Sequence, residues 1–338
     1  MATLADVARH AGVSTATASR IINGSPKPVA EALRQRVLAA VAELRYVPNA
    51  HAQMLARSNR NAVGVIVHDV SDPYFAEITR GLQRVATADN RLVIICNSYR
   101  DPDRELEYID LLHAHQVAAI VIAGSGYLDE DTATRMDERL RAFEATGGRI
   151  AVIGRHVHTG DAVVPANEEG GYLAAEHLFM LGHIEVGVIA GPPALTTTAD
   201  RLTGIREAAR VHGQKILKKR LVHADFTRDG GEAAAAQLIA ANPAMTAIVA
   251  LNDSMAVGAL AAMRAAGKQL SIVGFDDMPI ARDVTPALTS VRLPLAEMGE
   301  RAMSLALGEL DGKPPNPRVE RVPAQLIRRE STRPAPGR

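Results

Sequence analysis

Residues 4–24 read LADVARHAGVSTATASRIING. Leu4, Val7, Ala8 and Ala11 recur at i, i+3, i+4 and i+7, which puts them on one face of a helix over Leu4–Ala11. Thr3 stands in the N-cap position, and Gly12 ends the helix where a left-handed residue is easiest for glycine. Ser14 caps a second helix that runs to about Ile22, with Thr17, Ala18 and Ile21 inward. The cluster Asn23-Gly24-Ser25-Pro26 is a turn. A third helix is predicted over Val29–Leu44, with Leu33, Val37, Leu38, Val41 and Leu44 inward. Two short helices joined by a Gly-Val turn and braced by a third make a helix-turn-helix head over residues 1–46.

The outer side of the second helix is short and polar: Thr15, Ala16, Ser19 and Arg20. Small side chains let a helix sit deep in a major groove, and Arg20 offers two donors to a guanine edge. Thr3, Ser14, Ser19 and Asn23 are candidate phosphate contacts, which fix register without reading sequence. Charge agrees with a nucleic-acid partner. Residues 1–60 hold eight Lys and Arg against three Asp and Glu, a net of +5, which leaves −5 on the rest of a chain with zero formal net charge. Beyond the head, Pro48-Asn49 breaks the third helix. Residues 49–56 have helical composition but lack the length for an isolated helix, so residues 47–60 are expected to be a hinge that folds only against DNA and a symmetry mate.

From residue 61 onward strands alternate with helices. Apolar, β-branched runs occur at 62–67, 92–96, 118–123, 150–153, 186–190, 247–251 and 270–275, with amphipathic stretches between them, for example 77–88, 104–114 and 230–241. The pattern occurs in two sets, before and after about residue 160, and predicts an α/β body of two doubly wound lobes. Polar or glycine residues follow nearly every run: Asp69, Asn97-Ser98, Gly124-Ser125, Gly154-Arg155, Gly191, Asp225-Phe226, Asn252-Asp253 and Asp276-Asp277. In open α/β sheets ligands bind beyond the carboxyl ends of the strands, so two such lobes facing each other predict a cleft for a small molecule.

Several classes are disfavoured. There is no G-x-G-x-x-G, Walker or G-x-S-x-G motif, and no enzyme activity and no cofactor are expected. His113-x-His115 and His156-x-His158 lack a nearby cysteine to complete a metal set. The single Cys96 suits a buried strand position in a reducing cytoplasm. No apolar run approaches a membrane span, and the N-terminal segment does not read as a signal peptide. The tail from Glu330 carries no leucine heptad, so a homodimer is expected rather than a coiled-coil tetramer.

The run over residues 4–24, followed by YVPNAHAQML at 46–55, resembles the LacI/GalR family of repressors, as do DVSDPYFAEITRGL, LGHIEVGVIAGP, ADRLTGIREA, ALNDSMAVGAL, VGFDD and LTSVRLP in the body. The resemblance implies a periplasmic-binding-protein-like body and a palindromic double-stranded DNA operator. It also implies a hinge that enters the minor groove, with Asn49 and Ala52 in contact and Leu55 levering apart the central base step. It implies a return of the chain to the first lobe near Arg292–Pro294. Position by position it suggests an effector cleft of Asp69, Tyr74 and Phe75 from the first lobe and Arg155 at the lobe junction. Thr197, Arg201, Phe226, Asn252 and Asp276 come from the second. The implied effector is a sugar or sugar derivative; the alternatives are a nucleoside or purine, or a sugar receptor that does not bind DNA. Leu195 replaces the arginine of purine-responsive members, and Ala166-Asn167 replaces a common Asp-Asn pair. Two departures fall in the head. Ala18 stands where a larger β-branched residue is usual, which predicts looser packing. Arg45 stands where Gly or Asn is usual; a left-handed Arg costs about 1 kcal/mol, so the third helix is expected to end differently.

Overall fold

The computed structural model describes residues 2–22, 29–46, 61–158, 160–308 and 317–336. Its contacts divide the chain into two units, Met1–Arg60 and Asn61–Arg338. Asn23, Asn49, Ala52 and Leu55, and with them the hinge, lie outside the described residues.

The head contains α1 (Leu4–Ala11), α2 (Thr15–Ile22) and α3 (Glu31–Glu43). Thr3 and Asp6 form a reciprocal capping box: Thr3 Oγ1 accepts from Asp6 N at 3.2 Å, and Asp6 Oδ2 accepts from Thr3 N at 2.9 Å. Gly12, at φ 63°, closes α1. Ser14 Oγ accepts from Thr17 N at 3.1 Å and so starts α2. Val7, Ala8, Ala11, Ala18, Val37 and Ala40 form the core, ringed by half-buried Leu4, Val13, Ile21, Ile22, Val41, Leu44 and Tyr46. Two expectations are corrected. Leu38 is exposed and Ala40 takes a core place instead. At 100° per residue Leu38 lies about 100° round from Val37, off the stripe that Leu33, Val37, Ala40, Val41 and Leu44 share. Arg45 does not alter the helix end: it takes φ 46°, and Tyr46 N donates to Val41 O at 3.0 Å in the closure that glycine usually allows.

The body holds two six-stranded sheets. In chain order its elements are β1 (Ala62–Val67), α4 (Pro73–Ala88), β2 (Leu92–Asn97), α5 (Pro102–Ala114), β3 (Ala119–Ala123), α6 (Glu130–Ala145), β4 (Arg149–Ile153) and β5 (Asp161–Pro165). Then come α7 (Asn167–Met180), β6 (Val186–Ala190), α8 (Thr196–Val211), β7 (Leu221–His223), α9 (Arg228–Ala241), β8 (Ala247–Ala250), α10 (Asp253–Ala265) and β9 (Ser271–Asp276). The last are α11 (Ile280–Asp283), β10 (Thr289–Arg292), α12 (Leu295–Leu307), β11 (Val319–Val322) and β12 (Gln325–Ile327). The strand orders are β11-β5-β4-β3-β1-β2 and β12-β10-β9-β8-β6-β7, parallel throughout except for β12 against β10. Helices α4 and α5 begin earlier than their apolar spacing suggests. Asp72 and Asp101 are N-caps, and Pro73 and Pro102 occupy the first turn, where a missing N–H is harmless.

Among the described residues the chain passes between lobes three times, not twice. It leaves the first lobe between β5 and α7, at Ala166 rather than near 160, because β5 still belongs to the first sheet. It returns between β10 and α12, then passes once more at Pro323-Ala324, from β11 in the first sheet to β12 in the second. The crossing helices pack tightly on their new lobes, α12 on α4 and α7 on α8. Glycine permits this: a Cβ on Gly299 would lie 2.1 Å from the Ile78 carbonyl oxygen. No helix among the described residues is long and apolar enough to cross a membrane. Gly299→Ala is therefore expected to push α12 off α4 and lower the body's stability by about 1–3 kcal/mol, read as a lower urea midpoint; an unchanged midpoint would show that the crossing tolerates a methyl group.

Candidate functional site

On the head, Thr15, Ala16 and Arg20 are exposed on one side of α2 and Ser19 is half-buried. Thr3 and Ser14 are exposed too, but their hydroxyls already have partners. Thr3 Oγ1 donates to Asp6 at 2.7 Å, and Ser14 Oγ lies 2.9 Å from Thr17 Oγ1. They act as caps in this structure, and a phosphate would have to share them.

In the body, a cavity opens where strand ends of both sheets converge, with about 410 Å³ of empty space when the solvent at its mouth is included. Because the strands are parallel, their carboxyl ends share an edge, and the first turns of the following helices complete the walls. The first lobe supplies His68, Asp72, Tyr74 and Phe75 after β1, Arg100 after β2, and Gly124 and Ser125 after β3. The second supplies Leu195, Thr197 and Arg201 after β6, Phe226 after β7, Asn252 after β8 and Asp276 at the end of β9.

Arg201 is the best-held group in this wall. It is 2 % exposed. Its Nε donates to Asn167 Oδ1 at 2.9 Å, one terminal nitrogen to the Leu251 carbonyl, and the other to Asp276 Oδ1 at 3.0 Å. The guanidinium lies 3.6 Å from the centre of the Phe275 ring. Three of its five N–H groups are thus taken. Asp276 sits at φ 99°. Burial pushes its carboxyl up to about 6, with Arg201 pulling against that rise. Asp72 is raised, again by burial. Burial also raises the Tyr74 phenol, so it stays neutral at any ordinary pH.

Phe226 adopts φ 66°, and its ring lies against Gly191, where a Cβ would fall 2.1 Å from the ring. Asn252 fixes this backbone by donating to the Phe226 carbonyl at 2.9 Å while capping α10 through Met255 N at 2.8 Å. Arg100 lies 5.7 Å over the Phe226 ring and 3.8 Å from Asp72. Tyr74 and Phe75 meet edge to face at 4.9 Å.

The cavity brings together Tyr74, Phe75, Thr197, Arg201, Phe226, Asn252 and Asp276 of the expected residues, but not Asp69 or Arg155. Asp69 Oδ1 accepts from both the backbone N and the hydroxyl of Ser71, which shapes the turn before α4. Arg155 is at the lobe junction, but its guanidinium forks onto Asp200 of α8, with Nη2 2.6 Å from Oδ1. Sequence reasoning missed His68, Asp72, Arg100, Gly124 and Ser125 as lining residues, while Leu195, singled out for its bearing on the effector, does line the cavity. Gly124-Ser125 carried the strand-end signal and went unused; Asp72 carried a cap signal, Asp before Pro at a helix start. Arg100 lies three residues beyond β2, and its approach to Phe226 depends on tertiary structure alone.

A helix-turn-helix joined to a two-lobed α/β body with an interlobe cavity defines a DNA-binding transcription regulator with a ligand-binding domain. Residues 3–49 match the bacterial regulatory proteins of the lacI family, and residues 175–332 match the periplasmic binding protein-like domain. The transcriptional regulator GalR of Escherichia coli is 34% identical over 345 residues, covering 98% of this chain and 96% of that protein. The lac repressor dimer bound to operator and the anti-inducer ONPF superposes with a TM-score of 0.85 at 25% identity, covering 98% of this chain and 99% of that one. The transcriptional regulator CelR–cellobiose complex superposes with a TM-score of 0.73 at 28% identity, covering 98% of this chain and 100% of that one. The chain belongs to the LacI/GalR family of helix-turn-helix transcriptional regulators.

A pH dependence follows from Asp276. Its carboxyl is raised from 3.8 to about 6 in the folded protein, so the folded state holds a proton that the unfolded state has released. Its contribution to stability is full below about pH 4 and is lost as pH rises through about 6. Asp276→Asn removes this term while keeping an acceptor for Arg201. Relative to the variant, wild type is expected to lose on the order of 2 kcal/mol between pH 4 and pH 7, measured by urea unfolding at both; parallel pH profiles would show that Arg201 holds the carboxylate ionised.

Proposed function

We propose that the chain is a homodimeric transcription regulator, acting in the cytoplasm, that binds a palindromic double-stranded DNA operator and releases or grips it according to a sugar or sugar derivative in the interlobe cavity. The observation that carries the effector class is the Arg201–Asp276 pair beside Phe226. Arg201 retains N–H donors for a hydroxyl, Asp276 accepts from its neighbour, and Phe226 offers a face to a sugar ring. The related CelR structure with cellobiose supports the class. Leu195, buried in the wall, has no side-chain donor for a purine. Edge strand β2 supports self-association, since it leaves Leu92 and Ile95 exposed.

On the DNA side, Thr15, Ala16, Ser19 and Arg20 face the major groove. Thr3, Ser14 and Asn23 serve the phosphates, and Asn49, Ala52 and Leu55 the minor groove. Ligand in the cleft changes the angle between the first lobes of the dimer and so whether two hinge segments meet. Such coupling is reciprocal and typically ~1–3 kcal/mol.

Leu55→Ala is expected to weaken operator binding by a few kcal/mol, on the order of one wedge, while salt-dependent binding to random DNA changes little. Filter binding on both DNAs checks this, and equal losses would contradict the wedge role. Arg201→Ala is a poor test of sensing, because it strips partners from Asp276, Asn167 and Leu251 together. Phe226→Ala leaves those bonds intact. It is expected to keep ligand-free operator affinity within about threefold and raise the sugar concentration for half-response by at least about tenfold, or 1.4 kcal/mol. The measurement is anisotropy of labelled operator, titrated with the sugar selected by a thermal-shift screen; a wild-type response would place the effector elsewhere.

A further inference from the structure

Behind the first-lobe wall of the cavity lies a buried carboxylate that the sensing site does not use. Glu105, on α5, is 1 % exposed. Its Oε1 accepts from the Ser98 hydroxyl at 2.9 Å and the Tyr127 hydroxyl at 2.8 Å, and His68 Nε2 lies 3.3 Å away. These three neighbours come from three places. Ser98 follows β2, His68 follows β1 and lines the cavity, and Tyr127 belongs to the segment that meets the second lobe. Burial works against the charge on Glu105, yet His68 and the two hydroxyls outweigh it and hold the carboxyl below its ordinary range.

Residues 125–128 and 194–197 form a hydrogen-bonded seam between the lobes. Thr197 N donates to Ser125 Oγ at 2.8 Å, Thr196 N to Gly126 O at 2.9 Å, and Leu128 N to Ala194 O at 2.8 Å. Tyr127 pairs with Leu195, which also lines the cavity. A buried carboxylate stabilises a fold poorly; an apolar residue of similar volume often does better. What it offers is a single acceptor that holds two hydroxyls in fixed relation, with the His68 ring 3.3 Å away.

We propose that Glu105 is a positioning residue that couples the cavity wall to the seam between the lobes, holding Tyr127 at the seam through the same oxygen that the His68 ring abuts at the cavity. The His68 ring lies 5.5 Å from that of Phe75, so a ligand that presses on either moves the group that anchors Tyr127. The proposal rests on the cavity being the sensing site, but its test needs neither effector nor operator, so the two readings fail separately.

The test is amide hydrogen exchange on the full-length, ligand-free protein. Tyr127→Phe removes one hydroxyl and keeps the ring. Glu105→Ala removes the acceptor, Glu105→Gln keeps an oxygen for Ser98 and Tyr127, and His68→Ala changes the cavity side alone. Exchange in segments 125–128 and 194–197 is expected to rise about tenfold in Tyr127→Phe and Glu105→Ala. It should rise at least about threefold in His68→Ala and stay within about threefold of wild type in Glu105→Gln, with β8 unchanged in all four. Wild-type seam exchange in Tyr127→Phe would overturn the proposal, and in His68→Ala it would cut the link to the cavity. A Glu105→Ala protein whose β3 and β8 loosen as much as the seam, or a Gln variant as loose as the Ala one, would reduce Glu105 to an ordinary structural residue.

Discussion

A guanidinium taken out of water must find acceptors for its donors and a counter-charge, or the fold around it is unstable. Arg201 meets both demands by reaching three elements at once: Asn167 at the start of α7, the Leu251 carbonyl after β8, and Asp276 at the end of β9. Phe275 supplies the flat surface beneath it. The second lobe is thereby organised around one side chain at its ligand edge. Lysine could not replace it, since a point charge lacks the planar fork that reaches three acceptors in different directions. Asn167 makes the arrangement an interlobe matter, because α7 enters this lobe directly from β5 of the other.

The two lobes repeat one plan, and each borrows a helix. In both sheets the order is the same when β1 to β5 are matched with β6 to β10, and β11 with β12. The helix after the first strand of each lobe, α4 or α8, is covered by a helix that arrives from the other lobe, α12 or α7. Each lobe therefore has part of its covering attached by a short crossing to its neighbour's last strand. Close backbone approach at Gly299 lets α12 seat firmly on α4.

Much of this was legible because buried parallel strands must be written as apolar runs, and those runs were found nearly to the residue at β1 and β6. β5 escaped notice although its Ala-Val-Val is a buried apolar run. Other strands that escaped need no such run: β7 is three residues long, β11 alternates as an edge strand with Val319 exposed, and β10 carries Thr289 and Ser290 because Arg329 N donates to the Thr289 hydroxyl and Asp253 accepts from that of Ser290. The third lobe crossing was invisible for the same reason, since it joins β11 to β12. In the cavity, strand ends were readable as a class, but the choice of Asp69 over its neighbour His68 after β1 was not, and Arg100 was not. Which of these side chains reaches the cavity depends on how the strands are arranged in space, and periodicity carries no information about that. Arg155 was placed at the junction but given the wrong partner, because nothing in the sequence links it to Asp200.

That pairing bears on how a small molecule can act here. Arg155 and Asp200 join the lobes just outside the cavity, and the seam at 125–128 and 194–197 joins them beside it. The cavity walls are strand ends from both lobes, so any ligand that fills the space touches both. A ligand has leverage only through contacts that differ between two arrangements of the lobes. For an effector in this cavity, groups fixed within one lobe, such as Arg201 and Asp276, would supply affinity in either arrangement and little preference. Preference would come from pairs that span the gap: Arg100 of the first lobe over Phe226 of the second at 5.7 Å, and Ser125 against Thr197. A ligand slipped between Arg100 and Phe226 replaces one interlobe contact with two of its own. On the proposed reading Phe226 would serve both recognition and movement, whereas Arg201 and Asp276 would serve recognition alone.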